Sequence, residues 1–145
     1  MPALEFVAVL TAMFFTGAAI YINLVEHPAR MECGTEAAAT VFGPSYRRAA
    51  VMQAVLALTS AIAGVSAFLM GAPRAWFIGS VLIFAVIPFT LIAIMPTNRK
   101  LLDPGLDRTS EAARQLLLTW GTLHAVRSIL GLAASVIFLT TVIWP

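Results

Sequence analysis

From Trp76 to Met95 the chain reads WFIGSVLIFAVIPFTLIAIM, an apolar run with no charged residue and interrupted only by Pro88. About 20 such residues are what a helix needs to cross a hydrocarbon layer of roughly 30 Å, where every backbone amide and carbonyl must be satisfied within the segment itself. Three further stretches have the same character, so the expected spans are residues 4–26, 48–70, 76–95 and 113–143. With 60% hydrophobic and 11% charged residues, a soluble domain of 145 residues could not cover its apolar surface. Strands of a membrane barrel would alternate in polarity over segments of about ten residues, a pattern this chain does not show. The expectation is therefore all-α: one domain over residues 1–145, an antiparallel four-helix transmembrane bundle without internal repeats.

Basic residues give the orientation. Arg30, Arg47, Arg48, Arg99, Lys100, Arg108, Arg114 and Arg127 belong to the end shared by the first and third loops, and Arg74 alone to the other. Cytoplasmic loops collect Lys and Arg, so both termini are expected outside (N-out/C-out) in a multi-pass plasma (inner) membrane protein. The first span, lacking a basic leader and a small-residue cleavage site, is expected to be retained. A net charge of +2 is small and dispersed, which argues for the lipid bilayer and against nucleic acid as a partner. Cys33, the only cysteine, rules out an intrachain disulfide.

The first loop, roughly residues 28–44, reads as a cap with a short interfacial helix over Glu36–Thr40. The second, residues 71–75, contains Gly71 and Pro73 and reads as a tight turn that makes spans two and three antiparallel neighbours. In the third, Thr109 or Ser110 is placed to cap the last helix, with Glu111 favourable at its positive dipole end. Gly17, Ala57, Ala61, Gly64, Gly121 and Gly131 are spaced for close helix contacts, and exposed small-residue faces also permit a homo-oligomer.

Asn23, Glu26, His27 and, if the helix survives Pro28, Arg30 fall on one helical face; Trp120, His124, Arg127 and Gly131 repeat the spacing, and Tyr46, Ala50 and Gln53 align similarly. Three helices thus bring polar stripes to the end that carries the basic residues. Ionisable groups inside a membrane face the bundle interior in pairs, and Glu26 is the only acid in the spans near Arg127, so a Glu26–Arg127 ion pair is expected. Such a pair has a purely structural reading, locking two helices together. Two histidines, a carboxylate, a guanidinium and aromatic rings in one layer also have a functional reading, as a polar pocket. His27, His124 and Glu26 are the candidate ligands should the pocket hold haem or a transition metal, although no metal-binding spacing is present. Met31, Glu32 and Cys33 read as incidental. Tyr46-Arg47-Arg48 and Asn98-Arg99-Lys100 read as interfacial anchors, with Asn98 expected on unwound backbone facing the pocket. Pro88 is expected to kink the third helix.

Glu26-His27-Pro28-Ala29-Arg30, Ser45-Tyr46-Arg47-Arg48-Ala49, Met95-Pro96-Thr97-Asn98-Arg99 and Trp120 with His124-Ala125-Val126-Arg127 occur in this order. Through them the whole chain resembles the anthrone oxygenase-like family of small four-helix membrane proteins. The resemblance implies dioxygen-dependent oxidation of an apolar polycyclic aromatic such as an anthrone, without an obligatory cofactor. His124 or His27 would be the general base with Glu26 in the same cluster. Arg127, with Asn98 or Tyr46, would stabilise the developing oxyanion, and Trp120 would stack on the substrate; Asn23 and Gln53 would complete the binding surface. Two other readings of the polar layer are a small-molecule or lipid-binding or transport module, and a haem- or metal-dependent redox protein.

Overall fold

A computed structural model describes residues 2–144, and among them the regular structure is helical throughout. Four helices are long and apolar enough to cross a membrane: α1 (Pro2–Glu32), α2 (Thr35–Leu69), α3 (Arg74–Leu101) and α4 (Glu111–Ile143). At roughly 1.5 Å per residue, even α3, with 28 residues, is about 42 Å long and exceeds the hydrocarbon layer.

The helices run past the expected span ends because prolines are absorbed rather than obeyed, Pro44 within α2 and Pro28 and Pro96 each just after a widened turn. Proline lacks an N–H and its ring crowds the carbonyl four residues back. Ahead of Pro28, residues Ile22–Glu26 form a widened π turn in which the His27 N–H reaches the Ile22 carbonyl. Ahead of Pro96, Thr90–Ile94 do the same, with Met95 bonded back to Thr90. Each wide turn reroutes the ladder by one residue, and the helix continues. The expected first loop is thereby corrected: α1 carries on to Glu32 and α2 starts at Thr35, leaving Cys33 and Gly34 as the connection. Gly34 makes this reversal at φ 96°, a backbone region that side-chain-bearing residues rarely adopt. Asn98 is likewise corrected from unwound backbone to the helical segment Met95–Leu101.

The second turn is as expected. Gly71, at φ 100°, donates to the Phe68 carbonyl and Ala72 donates to that of Ala67, the paired closure typical of a glycine-terminated helix. In the third loop Ser110 caps α4 by accepting from the Ala113 amide at 3.1 Å. Just before it, the Thr109 amide and hydroxyl hold the Asp107 carboxyl below the usual carboxylate range.

Each helix packs on its neighbours in sequence, and α4 returns to α1, closing an antiparallel ring of four. The interior is built from small residues and interlocking rings. Phe138 of α4 fills the space left by Gly64 and Gly79 and stacks on Trp76 at 5.1 Å, while Phe15 lies over Gly131. Large apolar side chains point outward from all four helices, among them Phe6, Leu24, Val51, Ile62, Ile92 and Ile129. That inversion, small residues inside and large apolar residues outside, is how helices pack when the surrounding solvent is lipid. Three apolar clusters stack along the axis, and the polar side chains lie between and around the middle one and the one containing Phe42 and Trp120.

Candidate functional site

Asn23, on the π turn of α1, reaches across to α4. Its Nδ2 donates to the Gly121 carbonyl at 3.0 Å, and its Oδ1 accepts from the Ser128 hydroxyl at 2.6 Å and meets His124 Nδ1 at 2.8 Å. A carbonyl can only accept, so Gly121 determines which end of the amide faces it and leaves Oδ1 toward the imidazole. His124 Nδ1 must then carry the hydrogen, and in the neutral ring Nε2 holds the free lone pair. No residue among those described hydrogen-bonds to Nε2.

Trp120, one turn before His124, is the hub of the aromatic wall. Its ring stacks on His124 at 4.7 Å and 30°, tilts against His27 at 5.2 Å, and takes Phe42 edge-on at 5.3 Å. The Arg30 guanidinium lies 5.6 Å from the ring centre, in the range of a cation–π contact. Phe42 in turn stacks on Tyr46. Gly121 is what lets α1 approach: a Cβ there would sit 2.8 Å from His27 Cδ2 and Nε2. Trp120 is thus largely enclosed by protein and forms part of the cavity wall.

The expected Glu26–Arg127 ion pair is not the one formed. Because α1 stays helical through Pro28, Arg30 is one turn from Glu26 and pairs with it at 3.2 Å, and the same Glu26 oxygen accepts from Ser45 at 2.8 Å. Arg127 instead donates to Gln53 Oε1 at 2.7 Å and lies over the Phe15 ring. A neutral amide oxygen satisfies the guanidinium without bringing a second charge into the apolar layer. Several buried polar atoms have no hydrogen-bond partner among the described residues: Arg127 Nε, Gln53 Nε2, Arg30 Nε, His27 Nδ1 and both amide atoms of Asn98. Buried polar atoms are nearly always paired, so the unpaired donors Arg127 Nε and Gln53 Nε2, on two residues that line the same spaces, mark a place where a ligand or water completes the structure.

Two spaces meet here. An enclosed cavity of about 20 Å³ is bounded by Arg30, Phe42, Tyr46, Gln53, Trp120, His124 and Arg127. A more open groove of about 170 Å³ runs between α2 and α3 and shares Tyr46, Ala50, Gln53 and Arg127 with it. One water-sized molecule needs roughly 10–15 Å³, so the cavity as it stands suits a diatomic gas or a water.

Of the residues singled out from the sequence, His124, Arg127, Trp120, Tyr46 and Gln53 line one cavity. Asn23 holds His124, and His27 packs on Trp120. Glu26 stands one residue removed, behind Arg30. Asn98 is buried but lines neither space. Arg30, Phe42, Ser45 and Ser128 were not assigned roles in the site, whereas Gly121 is the close helix contact that its spacing suggested. Ser128, four residues after His124, carried a usable signal, and Arg30 lay on the α1 stripe. Among the described residues, no three His, Cys, Asp or Glu side chains converge as a metal-ligand set.

The sequence model of the anthrone oxygenase family matches residues 42–137. An anthrone oxygenase of Aspergillus fumigatus is 29% identical over 147 aligned residues, covering 94% of this chain and 91% of the relative. An anthrone oxygenase of Claviceps purpurea is 27% identical, covering 92% and 85%, and a noranthrone monooxygenase of Aspergillus flavus is 25% identical, covering 91% and 70%. No solved structure matches the chain significantly.

Proposed function

The chain belongs to the anthrone oxygenase family, and we propose that it is a membrane-embedded oxygenase that converts the activated ring methylene of an apolar polycyclic aromatic ketone, of the anthrone type, to a carbonyl. The observation that supports this most directly is that His124, tied through Nδ1 to Asn23 and with no hydrogen-bond partner on Nε2 among the described residues, lines one cavity with Arg127.

His124 Nε2 takes a proton from the methylene conjugated with the ring carbonyl. The negative charge moves onto the carbonyl oxygen, where Arg127, with Gln53 or Tyr46, stabilises it. The resulting imidazolium is held by Asn23 Oδ1 on its other nitrogen. The electron-rich anion passes one electron to dioxygen, and the two radicals join in a new C–O bond. Return of the proton from His124 gives a hydroperoxide. Removal of the remaining C–H proton expels hydroxide, which leaves as water when protonated, and the balance is CH2 plus O2 to C=O plus H2O. A positioned general base contributes about 10²–10⁴-fold and an oxyanion donor in a dry site about 10²–10³-fold. His27, packed against Gly121 and Trp120, keeps the aromatic wall in place.

Protein in lipid nanodiscs, supplied with anthrone, is expected to consume dioxygen and form quinone one to one above the uncatalysed background. His124→Ala lowers the rate by about two orders of magnitude or more, and His27→Ala by less. A folded His124→Ala protein with unchanged turnover overturns the base assignment. Retention of anthrone without consumption replaces the oxygenase reading by the binding-module reading, and haem and metal analysis of the same preparation tests the cofactor-independent route.

The site is proposed to face the cytoplasm, with both termini outside. Cys33 is exposed at the α1–α2 connection, on the end that carries the site, and serves as a single-thiol reporter. A membrane-impermeant maleimide is expected to label it only after cells are permeabilised; labelling in intact cells reverses the orientation.

A further inference from the structure

The enclosed cavity beside His124 cannot hold the substrate that the proposed reaction requires. At about 20 Å³ it has room for one or two water-sized molecules and not for a polycyclic ring system. The groove between α2 and α3, of about 170 Å³, is the space that continues from it. Its walls are apolar, built from Ala54, Ala57, Val86, Ile87, Leu91 and Met95. Leu91, on its rim, is 59% exposed and Ala54 is also on the outer surface, so the groove opens to the side, where lipid would be. The α3 wall carries the second π turn, Thr90–Ile94, following Pro88. Its floor is different in kind: Arg127 Nε and Gln53 Nε2 are buried donors with no partner among the described residues, and Gln53 is 1% exposed.

Larger lateral grooves exist between α1 and α4, about 320 Å³ with Thr16, Gly17 and Ser135 among its lining, and between α2 and α3 farther along the bundle, about 330 Å³ around Ile62, Ser80 and Phe84, but no guanidinium or amide lines either. An apolar face alone would accept a lipid chain. Two unpaired donors, one on a cation, at the bottom of an otherwise apolar slot call for a flat apolar molecule bearing an oxygen acceptor.

We infer that the α2–α3 groove is the aromatic-ketone subsite, entered sideways from the bilayer, with the ketone oxygen against Arg127 and Gln53 and the enclosed cavity beyond them left for dioxygen. This deepens the oxygenase reading and rests on it for the identity of the substrate. Ketone and methylene are on opposite edges of the central ring, so the ring lies along the floor with its ketone edge on Arg127 and Gln53 and its methylene edge toward the space lined by His124, while the outer part of the ring system remains in lipid.

Benzophenone, an inert diaryl ketone that crosslinks on illumination, is the probe, used on the full chain in nanodiscs and mapped by mass spectrometry. Crosslinks are expected in residues 50–57 and 86–95, competed by anthrone, and reduced at least fivefold by Ala54→Phe and by Leu91→Trp. Both substitutions are on the outer surface, so each fills the groove without repacking the core. Gly17→Leu, which narrows the α1–α4 groove, leaves the yield unchanged. In turnover, Ala54→Phe and Leu91→Trp raise KM at least tenfold with kcat within threefold. Crosslinks spread equally over residues 13–20 and 132–139, or indifferent to both groove-filling variants, overturn the assignment. Protein that shows the expected crosslinks but consumes no anthrone keeps the subsite and loses the oxygenase reading.

Discussion

Replacing Asn23 by leucine removes three hydrogen bonds at once, and the structure says they are unequal. The Gly121 carbonyl lies within α4 and keeps its helical partner. The Ser128 hydroxyl already lies 3.5 Å from the His124 carbonyl and can close on it. Only His124 Nδ1 is left without any acceptor. Orphaning one buried donor costs about 1–3 kcal/mol, whereas interhelical hydrogen bonds in a bilayer average about 0.6 kcal/mol. N23L should therefore lose about 1–2 kcal/mol, a fall in Tm of about 2–8 °C for a chain of this size, read from tryptophan fluorescence in detergent. The effect on turnover is larger and has a separate cause. Without an acceptor at Nδ1, the imidazole can place its hydrogen on Nε2, the atom that must be free to take a proton. Turnover per folded molecule should fall at least tenfold, toward the roughly 10²–10⁴-fold of losing a base altogether. Asn23→Asp restores an acceptor at Nδ1 and should recover most of the rate, whereas Ser128→Ala, which leaves the Asn23–His124 bond in place, should remain within threefold of the parent. Folded N23L with parental turnover, or Ser128→Ala as damaging as N23L, would refute the tautomer assignment.

Gly121→Ala should force the His27 ring off α4, because the added methyl would come within 2.8 Å of it; an overpacking cost of about 1–3 kcal/mol is only partly offset by up to about 1 kcal/mol of helix propensity, so Tm falls by up to about 8 °C and turnover falls with it. Gly79→Ala meets the Phe138 ring at 2.5 Å, far from the site, and should lower Tm without altering turnover per folded molecule; a change in KM would show that the two ends of the bundle are coupled. Gly34→Ala must hold φ 96° and ψ 159°, a region adopted almost only by glycine, at a strain of about 1–3 kcal/mol, measurable as a lower Tm. Arg30→Gln removes the Glu26 pair and the guanidinium over Trp120 and should lower stability by about 0.5–2 kcal/mol, detectable as a change in Trp emission as well as in Tm.

The four long apolar helices, the tight second turn, the Ser110 cap and the inward stripes Trp120–His124–Arg127 and Tyr46–Gln53 were legible in the chain, because each depends on residues close in sequence. Lipid allows few backbone solutions, so long uncharged runs nearly dictate helices, and helical spacing alone puts Trp120 and His124 side by side. The partners across helices were not legible. Glu26 was expected to pair with Arg127 and pairs with Arg30, because α1 continues through Pro28; the π turn at Ile22–Glu26 settles that, and no local residue pattern announces it. The same turn carries Asn23 across to His124 and so decides the tautomer. The space beside the site, small and enclosed at His124 but open between α2 and α3, exists only once four helices have closed into a ring. Composition and periodicity act through single helices and so determine the spans and the inward-facing stripes. Pairing, proton placement and cavity shape are set by contacts between residues far apart in the chain, whose energies differ by about 1 kcal/mol, and only the assembled bundle decides among them.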